Sequence, residues 1–157
     1  MTPEYDTRDA LETREAAALH RMAVLCRAGN LMKRHLERAV LRKERLTWSS
    51  YDVLQLAVSR RPIDTRTIAE IACISKATVS ISANDLENRG LIRRGCYAED
   101  RRRIQVYPTA EGLRLIEDLR PRLATAAEHL FRHPRTGASN DAVALILYVV
   151  GAMKDPA

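Results

Sequence analysis

Residues 65–90 read Thr65-Arg-Thr-Ile-Ala-Glu-Ile-Ala-Cys-Ile-Ser75-Lys76-Ala-Thr-Val-Ser-Ile-Ser-Ala-Asn-Asp-Leu-Glu-Asn-Arg-Gly90, two short amphipathic patterns separated by a turn. In the first, Ile68, Ala69 and Ala72 fall inward, and Thr65 is placed to cap the helix. In the second, Val79, Ser82, Ala83 and Leu86 share one face at the 3.6-residue period. Ser75 precedes that helix as its cap, and Gly90 follows as a natural C-terminal stop. The period then changes. Leu91–Tyr97 and Arg103–Tyr107 read as two strands, the second alternating strictly, with Ala98–Arg102 as the tip between them. Two helices joined by a tight turn and followed by a hairpin describe a helix-turn-helix with a wing.

Working outward, Thr13 to Arg45 places Leu19, Met22, Cys26, Met32, Leu36 and Val40 among many charges, as expected of a long amphipathic helix, broken or bent near Gly29-Asn30. Ser49 and Ser50 are expected to cap a second helix carrying Val53, Leu54, Leu56, Ala57 and Val58, which Arg60-Arg61-Pro62 ends. Pro108 closes the second strand, Thr109 caps a further helix, and that helix continues past Pro121 with a kink expected there. His133–Ala138 reads as a loop, and Ser139-Asn140-Asp141 leads a last helix, Ala142–Met153. That helix is apolar almost all round, so much of it must bury against another surface, most simply a second copy of the chain.

The 157 residues suffice for one domain with a real core. With 26 Lys and Arg against 20 Asp and Glu, the net charge of +6 favours a polyanionic partner. One Phe, one Trp and five Tyr leave the core to aliphatic side chains, as in mostly α folds. Cys26, Cys73 and Cys96 are widely spaced, with no CxxC and no histidine at ligand spacing, so no disulfide framework or metal site is expected. Cys26 and Cys73 fall on apolar stripes and read as core. No apolar run approaches the roughly 20 residues that span a bilayer, and the N-terminus is too acidic for a signal peptide, so a cytoplasmic protein is expected. No nucleophile beside a base and no phosphate-cradling glycine loop appears, so neither enzymatic activity nor a cofactor is expected.

Four phrases together resemble the MarR family of winged-helix transcription regulators. Ile71-Ala-Cys-Ile-Ser-Lys-Ala-Thr-Val-Ser80 is similar to that family's helix-turn-helix, and Leu86-Glu-Asn-Arg-Gly-Leu-Ile92 to its exit. Asp100-Arg101-Arg102 is similar to its wing tip, and Pro108-Thr109-Ala-Glu-Gly112 to the start of the following helix. The resemblance implies a single domain over residues 1–157, mostly α with a small β-hairpin wing. Within it, residues 46–112 form the winged helix-turn-helix core, and residues 9–45 and 113–157 the long dimerisation helices. It also implies a homodimer that binds double-stranded DNA and regulates transcription, most often by repression relieved by a small molecule or an oxidant.

In a major groove, the outward face of the second helix of the motif reads base edges. That face holds Lys76, Ala77, Ser80, Ile81 and Asn84, next to Ser75 and Thr78 at the helix start. Lys76, Ser80 and Asn84 offer donors, while Ala77 and Ile81 offer apolar contact to a thymine methyl. The bland alternative is a solvated helix face. Many relatives carry Arg where this chain has Ile81, and Asp85 sets a negative charge near expected phosphates. In the wing, Arg93, Arg94, Arg101, Arg102 and Arg103 are candidates for phosphate or minor-groove contact. By the resemblance Arg102 enters the minor groove and Asp100 holds the wing's shape. Arg66, with Arg60 and Arg61, is placed for phosphates. The basic run Lys33, Arg34, Arg38, Arg42, Lys43 and Arg45 reads as a solvated face.

By the same resemblance an effector pocket lies between the dimerisation helices and the core, with His20, His35, Trp48 and Tyr51 as candidate contacts, and a small apolar or aromatic compound as the effector. Two other readings stand beside this one: a winged helix that scaffolds protein partners without reading DNA, and a thiol-based regulator, with Cys96 among the wing arginines as its sensor.

Overall fold

The computed structural model describes residues 4–96 and 104–131. Helix α1 (Glu4–Ala39) leads through a 3-10 turn, η1 (Leu41–Glu44), to α2 (Trp48–Ser59). Strand β1 (Ile63–Asp64), α3 (Thr65–Ala72), α4 (Lys76–Asn88), β2 (Ile92–Cys96), β3 (Ile104–Pro108) and α5 (Ala110–Phe131) follow. The fold is thus mostly helical with a three-stranded antiparallel sheet in the order β1-β3-β2. Ile63 pairs with Val106, and β2 pairs with β3 from Ile92 opposite Pro108 to Cys96 opposite Ile104. The two-residue β1 was not expected; pairing over so short a segment leaves no alternation in the sequence.

Each helix after α1 starts where a short polar side chain takes up a first-turn N–H. Thr47 Oγ1 accepts from the Ser50 amide at 3.1 Å, so Thr47 caps α2 in place of the expected Ser49 or Ser50. Ser50 is instead buried in the helix's first turn. Asp64 accepts from the Thr67 amide at 3.0 Å and from its hydroxyl at 2.8 Å, so the cap of α3 is Asp64 and not Thr65. Ser75 accepts from the Thr78 amide at 3.0 Å, and Thr109 from the Gly112 amide at 3.1 Å, both as expected. Gly90 leaves α4 at φ 69°, a left-handed conformation that costs glycine little.

Helix α1 departs from expectation. It begins at Glu4, runs unbroken through Gly29-Asn30 and ends at Ala39, where η1 takes over. One glycine costs a helix only about 1 kcal/mol relative to alanine. The good helix formers on either side carry α1 through it. Much of its surface stays open: Leu19 is 67%, Met22 55% and Leu31 64% exposed. Cys26 is exposed on α1, and Cys73 is exposed at the left-handed C-cap of α3, so neither is the core residue expected.

The core lies where α2, α3, α4, the sheet and α5 meet. Leu41, Leu54, Ile68, Leu86, Ile92, Ile116 and Leu119 are fully buried there. Gly112 seats the first turn of α5 so closely on the Leu91 carbonyl that a side chain would overlap it. Helix α5 continues past Pro121. The hairpin tip at 97–103, the loop at 133–138 and the apolar helix expected at 142–153 lie outside the described residues.

Candidate nucleic-acid interface

Helix α4 is divided sharply between a buried and an open face. Val79, Ala83 and Leu86 are wholly buried and Ser82 nearly so, against α2 and α3. Lys76, Ala77, Ser80, Ile81 and Asn84 are all exposed. Ile81 is 69% exposed, a large apolar side chain held into solvent by a helix whose other face is fixed. Isolated exposed hydrophobics are common. Here the exposed isoleucine stands one turn after Ala77 and beside the amide of Asn84, so the face offers methyl contact and bidentate hydrogen bonding together.

Charge on this face is largely balanced. Asp85, one position beyond Asn84, pairs with Arg89 at 3.4 Å, which offsets the negative charge noted in the sequence. Lys76 remains at the N-terminal end, where the helix amides also favour an anion. Ser75 and Thr78 are engaged with one another: their hydroxyls lie 2.8 Å apart and Ser75 holds the Thr78 amide. Ser75 thus serves as the cap of α4.

The expected phosphate contacts fare differently. Arg66 is exposed and pairs with Glu70 at 3.0 Å on the same helix, an exposed pair that water weakens and that a phosphate can displace. Arg94, on β2, is turned back onto α4. Its Nε donates to Glu87 Oε2 at 2.8 Å and its backbone N–H to Glu87 Oε1 at 2.9 Å. These bonds from the Arg94 side chain and then its amide hold the Glu87 carboxyl below the usual carboxylate range. The structure therefore gives Arg94 a partner within the fold. Arg93 is the exposed neighbour, its guanidinium 5.0 Å from the centre of the Tyr107 ring on the paired strand. Asp100, Arg101, Arg102 and Arg103 lie outside the described residues.

Of the effector candidates, Trp48 and Tyr51 come together at the start of α2. Their ring centres are 5.4 Å apart, and both are half-buried against the core. The Trp48 amide donates to Glu37 Oε1 at 2.6 Å, binding α2 to the end of α1. Beside them Asp52 is half-buried, and burial raises its carboxyl above the usual range while Lys33 opposes the shift. His35 lines an open groove of about 410 Å³ with Leu31, Met32, Arg34 and Arg38, all on α1. His20 is exposed 15 residues earlier on the same continuous helix, roughly 22 Å along the axis at 1.5 Å per residue. The four candidates therefore do not converge within one chain.

Three residues that the sequence did not single out prove structurally prominent. Glu87 receives Arg94; Arg89 donates to the Glu44 carbonyl at 2.7 Å and the Arg45 carbonyl at 3.1 Å; Arg122 donates to Glu44 Oε1 at 2.9 Å. The last two span 45 and 78 residues, and no local pattern signals them. Among the described residues, no cluster of three or more His, Cys, Asp or Glu is placed to hold a metal, and no helix is long and apolar enough to cross a membrane.

Comparison with known proteins agrees with this layout. The sequence model of the MarR family matches residues 46–104. The chain is similar to the uncharacterized HTH-type transcriptional regulator YwaE of Bacillus subtilis, with 30% identity over 123 residues that span 75% of this chain and 72% of that protein. Its fold is similar to that of Sco3205, a MarR family transcriptional regulator from Streptomyces coelicolor, solved in complex with DNA. That likeness has a TM-score of 0.76, 22% identity and coverage of 90% of each chain. CouR from Rhodococcus jostii, solved with bound p-coumaroyl-CoA, is similar at a TM-score of 0.70 and 25% identity, over 85% of this chain and 91% of that one. With a divided helix α4 beside a hairpin and a relative matched over most of its length, the chain belongs to the MarR family of DNA-binding transcriptional regulators, which are not enzymes.

Proposed function

We propose that the protein is a homodimeric, sequence-specific repressor of the cytoplasm that releases DNA on binding a small apolar or aromatic compound. In this reading residues 46–112 form the DNA-binding core, and residues 9–45 and 113–157 join the two subunits. Helix α4 enters the major groove as the recognition helix, and Arg102 reaches the minor groove from the wing. The observation that carries the reading is the open face of α4, with Lys76, Ala77, Ser80, Ile81 and Asn84 exposed on a helix whose opposite face is fixed in the core. Dimerisation is supported by the exposed Leu19, Met22, Val24, Leu25 and Leu31 on α1, apolar surface that a second copy would remove from water. Control by a small molecule is supported by the compound bound to CouR.

Sedimentation velocity of the protein alone and on a fluorescent duplex from upstream of its own gene tests the assembly. The reading predicts a dimer that loads as two chains on one duplex and leaves it on titration with an aromatic acid or its thioester. A monomer, or a complex that no member of a broad panel of such compounds dissociates, would contradict the corresponding part.

A further inference from the structure

Glu44 is engaged twice, by different parts of the molecule. Its carbonyl accepts from Arg89 Nη2 at 2.7 Å, and its carboxylate accepts from Arg122 Nη1 at 2.9 Å. Arg89 is the residue on which α4 ends, and its guanidinium also reaches the Arg45 carbonyl at 3.1 Å and the Asp85 carboxylate at 3.4 Å. Arg122 lies on α5 and holds Asp118 of that helix at 2.6 Å. The chain of contacts α5–Arg122–Glu44–Arg89–α4 therefore crosses from the helix that leads to the C-terminal segment to the end of the DNA-facing helix. It passes through η1, the turn on which α1 finishes. Both arginine side chains and the Glu44 side chain are about one-third exposed or less, so water screens these bonds incompletely.

Arginine suits this place. Its flat fork of donors satisfies two carbonyls and a carboxylate at once, which a lysine ammonium on a flexible stem cannot reproduce. The carbonyls that Arg89 takes up belong to the end of a 3-10 turn, where backbone acceptors lack helical partners. Arg89 thus fixes the exit of α4 to η1, while Ser75 caps its entry.

We propose that Arg89 and Glu44 are positioning residues that set the orientation of α4 relative to α5, and so the separation of the two recognition helices on DNA. The inference rests on the dimeric reading above. In a dimer, the angle at which each α4 leaves its subunit determines which half-site spacing both helices can occupy. One added base pair moves a half-site about 3.4 Å along the duplex and turns it by roughly 35°. A helix held at both ends discriminates against that change; a helix released at its exit does not.

The test measures affinity for the upstream operator and for duplexes lengthened or shortened by one base pair between half-sites. The wild-type protein, Arg89→Met, Arg89→Lys and Glu44→Ala are compared, each shown by thermal melting to be folded at the assay temperature. Wild type is expected to prefer the native spacing by at least about tenfold, of the size of one mismatched position. Arg89→Met, which frees the exit of α4, and Glu44→Ala, which keeps the carbonyl that Arg89 holds but cuts η1 loose from Arg122 of α5, are expected to bring that preference within about twofold, with Arg89→Lys between wild type and Arg89→Met. Variants that bind all spacings more weakly but keep the wild-type ratio would show a merely structural role and overturn the inference alone. A wild-type protein indifferent to spacing would overturn the dimeric reading and this inference with it.

Discussion

Glu87, in the last turn of α4, receives the backbone N–H and the guanidinium of Arg94 from β2, with donor distances of 2.9 Å from the amide and 2.8 Å from Nε. The contact joins α4 to β2, and the two oxygens of one carboxylate satisfy both donors. It gives an arginine that the sequence places among wing cations a partner within the fold. Its position orders α4 and β2 relative to one another.

This pairing makes a pH prediction. Because Arg94 lowers the Glu87 proton affinity in the folded state, the contribution to folding is complete above the ordinary glutamate range and is lost as pH falls through the lowered folded value. Thermal melting of wild type and Glu87→Gln from neutrality down to about pH 3 should show a gap that narrows on acidification. A gap that is constant with pH would mean that the charge of Glu87 contributes nothing.

The cap of α4 separates folding from recognition. Ser75→Ala removes the acceptor of the Thr78 amide and should cost about 1 kcal/mol in urea unfolding. Ser75→Asp restores a cap but sets a carboxylate where phosphates approach, so it should fold normally and bind DNA more weakly than wild type. Equal DNA affinity for Ser75→Asp and wild type would place this end of α4 away from the duplex.

How much of this was legible in the sequence follows from the range of each interaction. The Val79, Ser82, Ala83 and Leu86 stripe, the Ser75 and Thr109 caps and the Gly90 stop are written within a few residues of where they act, and all appear as expected. The caps of α2 and α3 were misplaced by one to three positions because Thr47, Ser49 and Ser50, or Asp64 and Thr65, are all competent acceptors. Only the chain's entry angle, fixed by packing, selects among them. The expected break at Gly29 weighed a single residue's propensity against a whole helix. Spacing alone puts Cys26 and Cys73 in the core, yet both are exposed, because an amphipathic stripe shows only which residues share a face, not whether anything covers it. Arg89, Arg122 and Glu44 were missed because their partners are distant in sequence.

Ile81 is the large apolar side chain on the open face of α4. Replacing it with arginine adds a cation to a face that carries Lys76 alone among its exposed outward residues. Ile81→Arg should steepen the salt dependence of DNA binding by about one unit of log K per log salt. It should also raise affinity for unrelated duplex more than for the operator. An unchanged salt slope would put Ile81 outside the interface.

Gly112 should tolerate no side chain. A methyl group there meets the Leu91 carbonyl oxygen, a backbone atom that cannot swing aside, and also presses on Leu54. Gly112→Ala should therefore destabilise by about 2–3 kcal/mol in urea unfolding, despite alanine's better helix propensity. A stability equal to or above wild type would show that α5 can shift off the Leu91 carbonyl without cost.

The central claim is that the open face of α4 reads sequence. Fluorescence anisotropy of wild type and Asn84→Ala on the upstream duplex and on a scrambled duplex, at two salt concentrations, tests it most directly. The account predicts salt-sensitive binding with a clear preference for the upstream duplex, and a loss of about 1–3 kcal/mol for Asn84→Ala on that duplex but not on the scrambled one. Equal affinity of wild type for both duplexes, or an Asn84→Ala loss of the same size on each, would contradict it.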